Sequence, residues 1–141
     1  MAEKSGFSAA ERAAMKERAA ELKTTKKRGA KADLEPEVLA KIAEMPAADR
    51  VLAQRVHELV REVAPDLTPR LWYGMPAYAK DGKVLCFFQG AAKFEERYCT
   101  LGFSGQANLD KAGMWPTAYA LIEMTEAVEK QIRTLLKRAI R

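Results

Sequence analysis

One histidine, His57, bounds the chemistry open to this 141-residue chain. Any Ser-His-Asp triad or histidine-based metal site must use it. It lies in a helical stretch beside Val56, with Glu58 and Glu62 close by. One His with carboxylates would serve as a metal donor set. Residue type favours a helix-surface histidine with no site role. Nucleophile signals fail. Gly102-Phe103-Ser104-Gly105-Gln106 lacks the second glycine of a nucleophile elbow. Gly82-Lys83 is no phosphate loop, because Ala77 stands at the first glycine position and Val84 where a metal-binding hydroxyl is needed. The carboxylate pairs Glu35/Glu37, Glu58/Glu62 and Glu95/Glu96 remain. Glu58 and Glu62, spaced i, i+4, share a helix face and suit a hard cation or acid–base work. A solvated face is the plainer reading of each pair.

The aromatic set is the other candidate. Trp72, Tyr73, Tyr78, Phe87, Phe88, Phe94, Tyr98, Phe103, Trp115 and Tyr119 all fall in one stretch. Most should pack in a core. Around Gly74-Met75-Pro76, however, Trp72, Tyr73, Met75, Tyr78, Phe88, Trp115 and Tyr119 could line a small-ligand pocket. Lys83, Lys93 and Arg97 could add positive charge at its edge. Aromatics with basic residues also permit nucleic-acid binding, but no RNA-binding motif matches, which disfavours it.

The elements that must position these residues follow from the pattern. Ser8-Ala9-Ala10-Glu11 is a capping box that starts a helix running to about Lys23. Its apolar stripe, Met15, Ala19 and Leu22, is thin, so this helix should be the least firmly docked. Thr24–Asp33 reads as a linker. Pro36 opens a second helix with Val38, Leu39, Ile42 and Met45 inward, and Pro46 ends it. Val51, Leu52, Val56, Leu59, Val60 and Val63 form the face of a third, over 47–63. Strands follow at 70–73, 77–80, 83–89, 97–103 and 117–122. Gly74 and Met75-Pro76 suggest a bend or bulge, and Asp81-Gly82 a type I′ hairpin turn. Thr125 caps a last helix over 126–139. The expected fold is α+β. It has an antiparallel sheet of four to six strands, amphipathic helices on one face and an extra N-terminal helix. The expected organisation is a helical arm and basic linker over 1–34 and a single domain over 35–141.

Composition sets the outer bounds. Hydrophobic residues make up 48% and charged residues 30%, which favours a packed domain over disorder. Net charge is +5. Residues 1–34 hold nine Lys/Arg against five Asp/Glu, while 35–69 hold four against seven. The basic arm reads as a solvated helix end and linker. Cys86 and Cys99 lack metal spacing and read as buried free thiols. No apolar run is long enough to span a membrane, and Met1–Gly6 does not read as an export signal. The expected location is the cytoplasm.

The segment Trp72-Tyr73-Gly74-Met75-Pro76-Ala77-Tyr78 resembles the YdhG-like family, a domain of unknown function. The hairpin through Gly82-Lys83 and the Phe87-Phe88 strand end share the resemblance. It continues through Tyr98–Phe103, Ala107–Asp110 and Met114–Tyr119, and the helical front resembles long actinobacterial-type members. The family includes a member described as a frataxin-like intracellular iron chaperone. The resemblance implies a compact α+β domain in the cytoplasm, and iron handling in some members. It supplies no set of iron ligands, and the basic net charge departs from an acidic iron-binding surface. The first expectation is therefore a non-enzymatic module binding a small molecule or protein partner, without a cofactor. The alternative is an iron-binding chaperone using Glu58 and Glu62. An enzyme whose site the sequence does not display is the third.

Overall fold

In the computed structural model, which describes residues 6–141, a five-stranded sheet organises the molecule. The first five residues of the expected arm, and most of the Met1–Gly6 reading, lie outside the described residues. The elements are α1 (Ala9–Arg28), α2 (Glu35–Ala43), α3 (Ala47–Val63), β1 (Thr68–Trp72), β2 (Met75–Lys80), β3 (Lys83–Gln89), a 3-10 turn (Ala92–Phe94), β4 (Cys99–Phe103), β5 (Ala118–Leu121) and α4 (Glu126–Ala139). The strands follow chain order, each antiparallel to the last. The fold is α+β, with helices packed on the sheet.

The register shows what each face buries. Leu71, Pro76, Tyr78, Cys86, Phe88, Leu101, Phe103, Cys99, Tyr119 and Leu121 share one face. Against it lie Val38 and Ile42 of α2, Leu52, Val56, Leu59 and Val60 of α3, and Ile132, Leu135 and Leu136 of α4. Val51, expected on the α3 core face, is 59% exposed. Tyr78 pairs with Cys86 but Ala79 with Val84, so Leu85 is an extra residue in β3. This bulge lets Leu85 and Cys86 both turn inward, and both are buried.

The segment expected to bend or bulge at Gly74 is a second tight hairpin. Trp72 pairs with Met75, and the two residues between them, Tyr73 and Gly74, have φ of 53° and 77°. That is the signature of a type I′ turn. Asp81-Gly82 makes the other, with φ of 51° and 81°. Pro69 lies on the edge strand, where its missing N–H breaks no ladder, and its carbonyl accepts from Leu34 N–H at 3.0 Å.

α1 differs most from expectation. It continues into the first half of the expected linker and ends at Arg28, capped by Gly29, with Lys26, Lys27 and Arg28 complementing its negative end. Its anticipated stripe faces outward: Met15 is 40% and Leu22 51% exposed. The face that docks along β1 and the 3-10 turn carries Ala14, Glu17, Arg18, Glu21 and Thr25. These positions recur at helical spacing, but they are polar. Ala14 is the one buried residue of this helix, so hydrogen bonds and charge hold it.

Candidate functional site

The Tyr73-Gly74 turn, the C-terminal end of α2 and the 3-10 turn enclose a cleft of about 260 Å³. Its apolar wall is Met45, Pro46, Met75, Pro76 and Phe88; Lys41 and Lys93 supply positive charge, and Glu44 and Asp49 negative. The 3-10 turn that carries Lys93 is fixed from beneath by Asp49 of α3. One Asp49 oxygen accepts from Ala92 N–H at 2.9 Å and the other from the Cys99 thiol at 3.3 Å. Asp49 is 7% exposed, and these bonds compensate its buried charge. Burial pushes the Cys99 thiol up to about 11, and the bond to Asp49 adds to the rise.

α1 reaches over this end of the sheet. Glu17 accepts from Lys93 at 2.5 Å and from Lys41 at 2.9 Å. Glu21 accepts from the backbone N–H groups of Tyr73 and Gly74 at 2.7 and 2.6 Å. Gly74 is required by its positive φ, and a Cβ there would in addition push the Glu17 carboxylate aside. Partial burial raises the Glu17 pKa, but hydrogen bonds from Lys93 and Lys41 outweigh it and hold the carboxyl below its usual range. The bond to Glu17 raises Lys41 above its ordinary value. Both shifts lead away from neutral pH, which suits ion pairing and not proton transfer.

The structure distributes the sequence-predicted residues over several surroundings. Met75 and Phe88 line the cleft. Tyr78 is fully buried on the helix-covered face. Trp72 and Tyr73 stand toward the opposite face, their rings 5.1 Å apart, and Trp72 also lies 5.1 Å from Phe87. Arg18 lies 5.6 Å from the Tyr73 ring centre. Trp115 and Tyr119 pack on the core at the far edge, where Tyr119 meets Phe103 edge-on at 6.2 Å. The seven do not enclose one cavity. Of the three basic residues expected at a pocket edge, Lys93 is there. Lys83 belongs to the other hairpin and Arg97 stacks on Tyr98 at 5.2 Å.

His57 is buried, not a surface residue. The Tyr78 hydroxyl lies 2.8 Å from Nδ1, and Glu35 Oε2 lies 2.7 Å from Nε2. A carboxylate only accepts, so Nε2 carries a proton and donates to Glu35. Burial holds Tyr78 well above its usual pKa, so its phenol stays protonated beside Nδ1. Arg61 Nε closes the outer end, 3.3 Å from Glu35. This chain ties α2, α3 and β2 together, and neither His57 nor Tyr78 lines the cleft.

Glu58 and Glu62 are both ion-paired. Arg55 binds Glu58 at 2.9 Å and Glu129 at 2.7 Å, and Arg133 of α4 binds Glu62. A cation at either carboxylate would have to displace an arginine. Among the described residues, no group of three or more His, Cys, Asp or Glu is placed to hold a metal ion. Again among the described residues, no helix is long and apolar enough to cross a membrane.

Lys41, Asp49, Glu17 and Glu21 escape a reading by motif, because each acts through a partner distant in sequence. The available signal was Glu17 and Glu21 at i, i+4 on a helix with almost no apolar stripe. Comparison with protein-family models, with curated proteins and with solved structures finds no match for this chain.

Proposed function

We propose that this protein is a non-enzymatic binding module of the YdhG-like type, and that a small molecule occupies the cleft beside Gly74-Met75-Pro76. The family assignment rests on the Trp72–Tyr78 segment and the hairpins around it. One observation carries the function. The segment that marks the family also forms a wall of a cleft with an apolar lining, at whose edge Lys41 and Lys93 converge on Glu17. Its volume of about 260 Å³ lies near the lower end of small-molecule sites, roughly 300–1,000 Å³. The directions of the Glu17 and Lys41 pKa shifts favour binding over acid–base chemistry.

Ala92 lines the cleft and is exposed, so Ala92→Trp fills the space without disturbing the core. A thermal-shift screen of small metabolites should give ligands that stabilise the wild type. The same ligands should fail to stabilise Ala92→Trp. Ligands that shift both proteins equally, or a screen with no ligand at all, would sink the assignment.

A further inference from the structure

The ligand's chemical class can be read from what now fills the neighbouring seat, an inference that rests on the cleft being the binding site. We propose that the Tyr73-Gly74 turn, Lys41 and Lys93 form a seat for a small oxyanion, and that α1 occupies this seat in cis through Glu17 and Glu21.

Four observations converge. Consecutive backbone N–H groups in a left-handed turn make an anion-binding concavity, and both N–H groups here donate to one carboxylate. Two ammonium groups from different elements meet a second carboxylate at 2.5 and 2.9 Å. Charge-assisted bonds of this kind are stronger than neutral ones. The two carboxylates are four residues apart on one helix, a spacing at which like charges repel. The cationic and N–H groups around Gly74 make that placement favourable.

α1 is also built to leave. It buries only Ala14, which stands outside the main hydrophobic cluster. It is undercut on both sides. A groove of about 240 Å³ separates it from α2 and β1, and another of about 400 Å³ lies between Arg18, Leu22 and Thr25 and the sheet residues Arg70, Trp72 and Val84. Lys41 lines both the first groove and the ligand cleft, so the Glu17–Lys41 pair stands between them. Withdrawing Glu17 would release Lys93, leave Lys41 with only the longer contact to Glu44 at 3.8 Å, and join the two spaces. A ligand carrying a carboxylate or phosphate would then find the donors that Glu17 and Glu21 use now.

The experiment is calorimetric titration with inorganic phosphate and, separately, with glutarate. It is done at matched ionic strength on the wild type, on Glu17→Gln/Glu21→Gln and on that variant with Lys41→Met/Lys93→Met. Amide hydrogen exchange follows α1 and confirms that each variant keeps the protected core. We expect at least tenfold tighter binding to the Gln variant than to the wild type, and loss of binding once the lysines are removed. In the wild type, ligand should lower α1 protection and leave core protection unchanged. The probe that binds more tightly distinguishes phosphate from carboxylate. Equal affinity in wild type and Gln variant, binding indifferent to the lysines, or no binding of either probe to the Gln variant would overturn the proposal. Neutral ligands blocked by Ala92→Trp, together with no oxyanion binding, would leave the cleft assignment standing and remove this one. Oxyanion binding with no effect of Ala92→Trp on any ligand would remove the cleft assignment, and this inference with it.

Discussion

Tyr78 and His57 separate residue type from residue role. Both were legible in the sequence as polar groups able to do chemistry, but the fold encloses them in a chain of hydrogen bonds that ends at Glu35 and Arg61. Tyr78→Phe keeps the ring and leaves Nδ1 of His57 buried without its hydrogen-bond partner. Such an orphaned polar group costs about 1–3 kcal/mol, to be read as a lower urea midpoint with an unchanged m-value. A loss below a few tenths of a kcal/mol would mean that the chain adds nothing to stability. Cys86 gives a pH dependence from the same enclosed region. Burial pushes its thiol from about 9 up to about 12. The folded state therefore keeps a proton that the unfolded state releases. This contribution is whole below about pH 9 and is lost as pH rises toward 12, by up to about 1.4 kcal/mol per pH unit. Cys86→Ala should flatten the decline of unfolding free energy between pH 9 and 11. An identical slope in the variant would assign the decline to other groups. The enclosure itself was beyond the sequence: residue type pointed to a helix-surface histidine, and helical spacing names no partner across the gap.

α1 shows the same limit for a whole element. Its capping box was readable, and Ser8 and Glu11 exchange both expected bonds at 3.0 and 2.8 Å. Its docking face was not. A search for apolar periodicity selects Met15, Ala19 and Leu22, whereas the helix turns Glu17 and Glu21 inward toward cations and N–H groups. The hairpin it covers was partly readable: Gly74 signalled a break, but only the Trp72–Met75 pairing makes it a turn. Because the Glu17 pKa is depressed, its contribution to docking is present above about 4.5 and is lost as pH falls through the lower folded-state value. Amide exchange between pH 6 and pH 3 should show α1 losing protection, relative to intrinsic rates, before α3 does. Simultaneous loss in both helices would mean that α1 opens only with the whole molecule.

At the scale of the molecule, the sheet and its three core-packing helices form one hydrophobic unit, and α1 supplies none of its members. A chain starting at Lys31 should keep a single cooperative thermal transition. Its loss of stability should be about 1–3 kcal/mol, from the hydrogen bonds to Arg70 and to the Tyr73-Gly74 turn. Calorimetry that finds no cooperative transition would show α1 to be integral to the fold. Local pattern was enough for the α+β class, the caps at Ser8 and Thr125 and the Asp81-Gly82 turn. These are local properties, fixed by side-chain period and backbone preference within a few residues. Tertiary structure alone decided that the predicted aromatic set divides among cleft, core, open sheet face and far edge. It also decided that Lys41 and Lys93, distant in the chain, meet at one carboxylate. The physical reason is register. A strand presents alternate residues to opposite faces, so neighbours such as Phe87 and Phe88 part, and cross-chain pairing determines which distant charges converge.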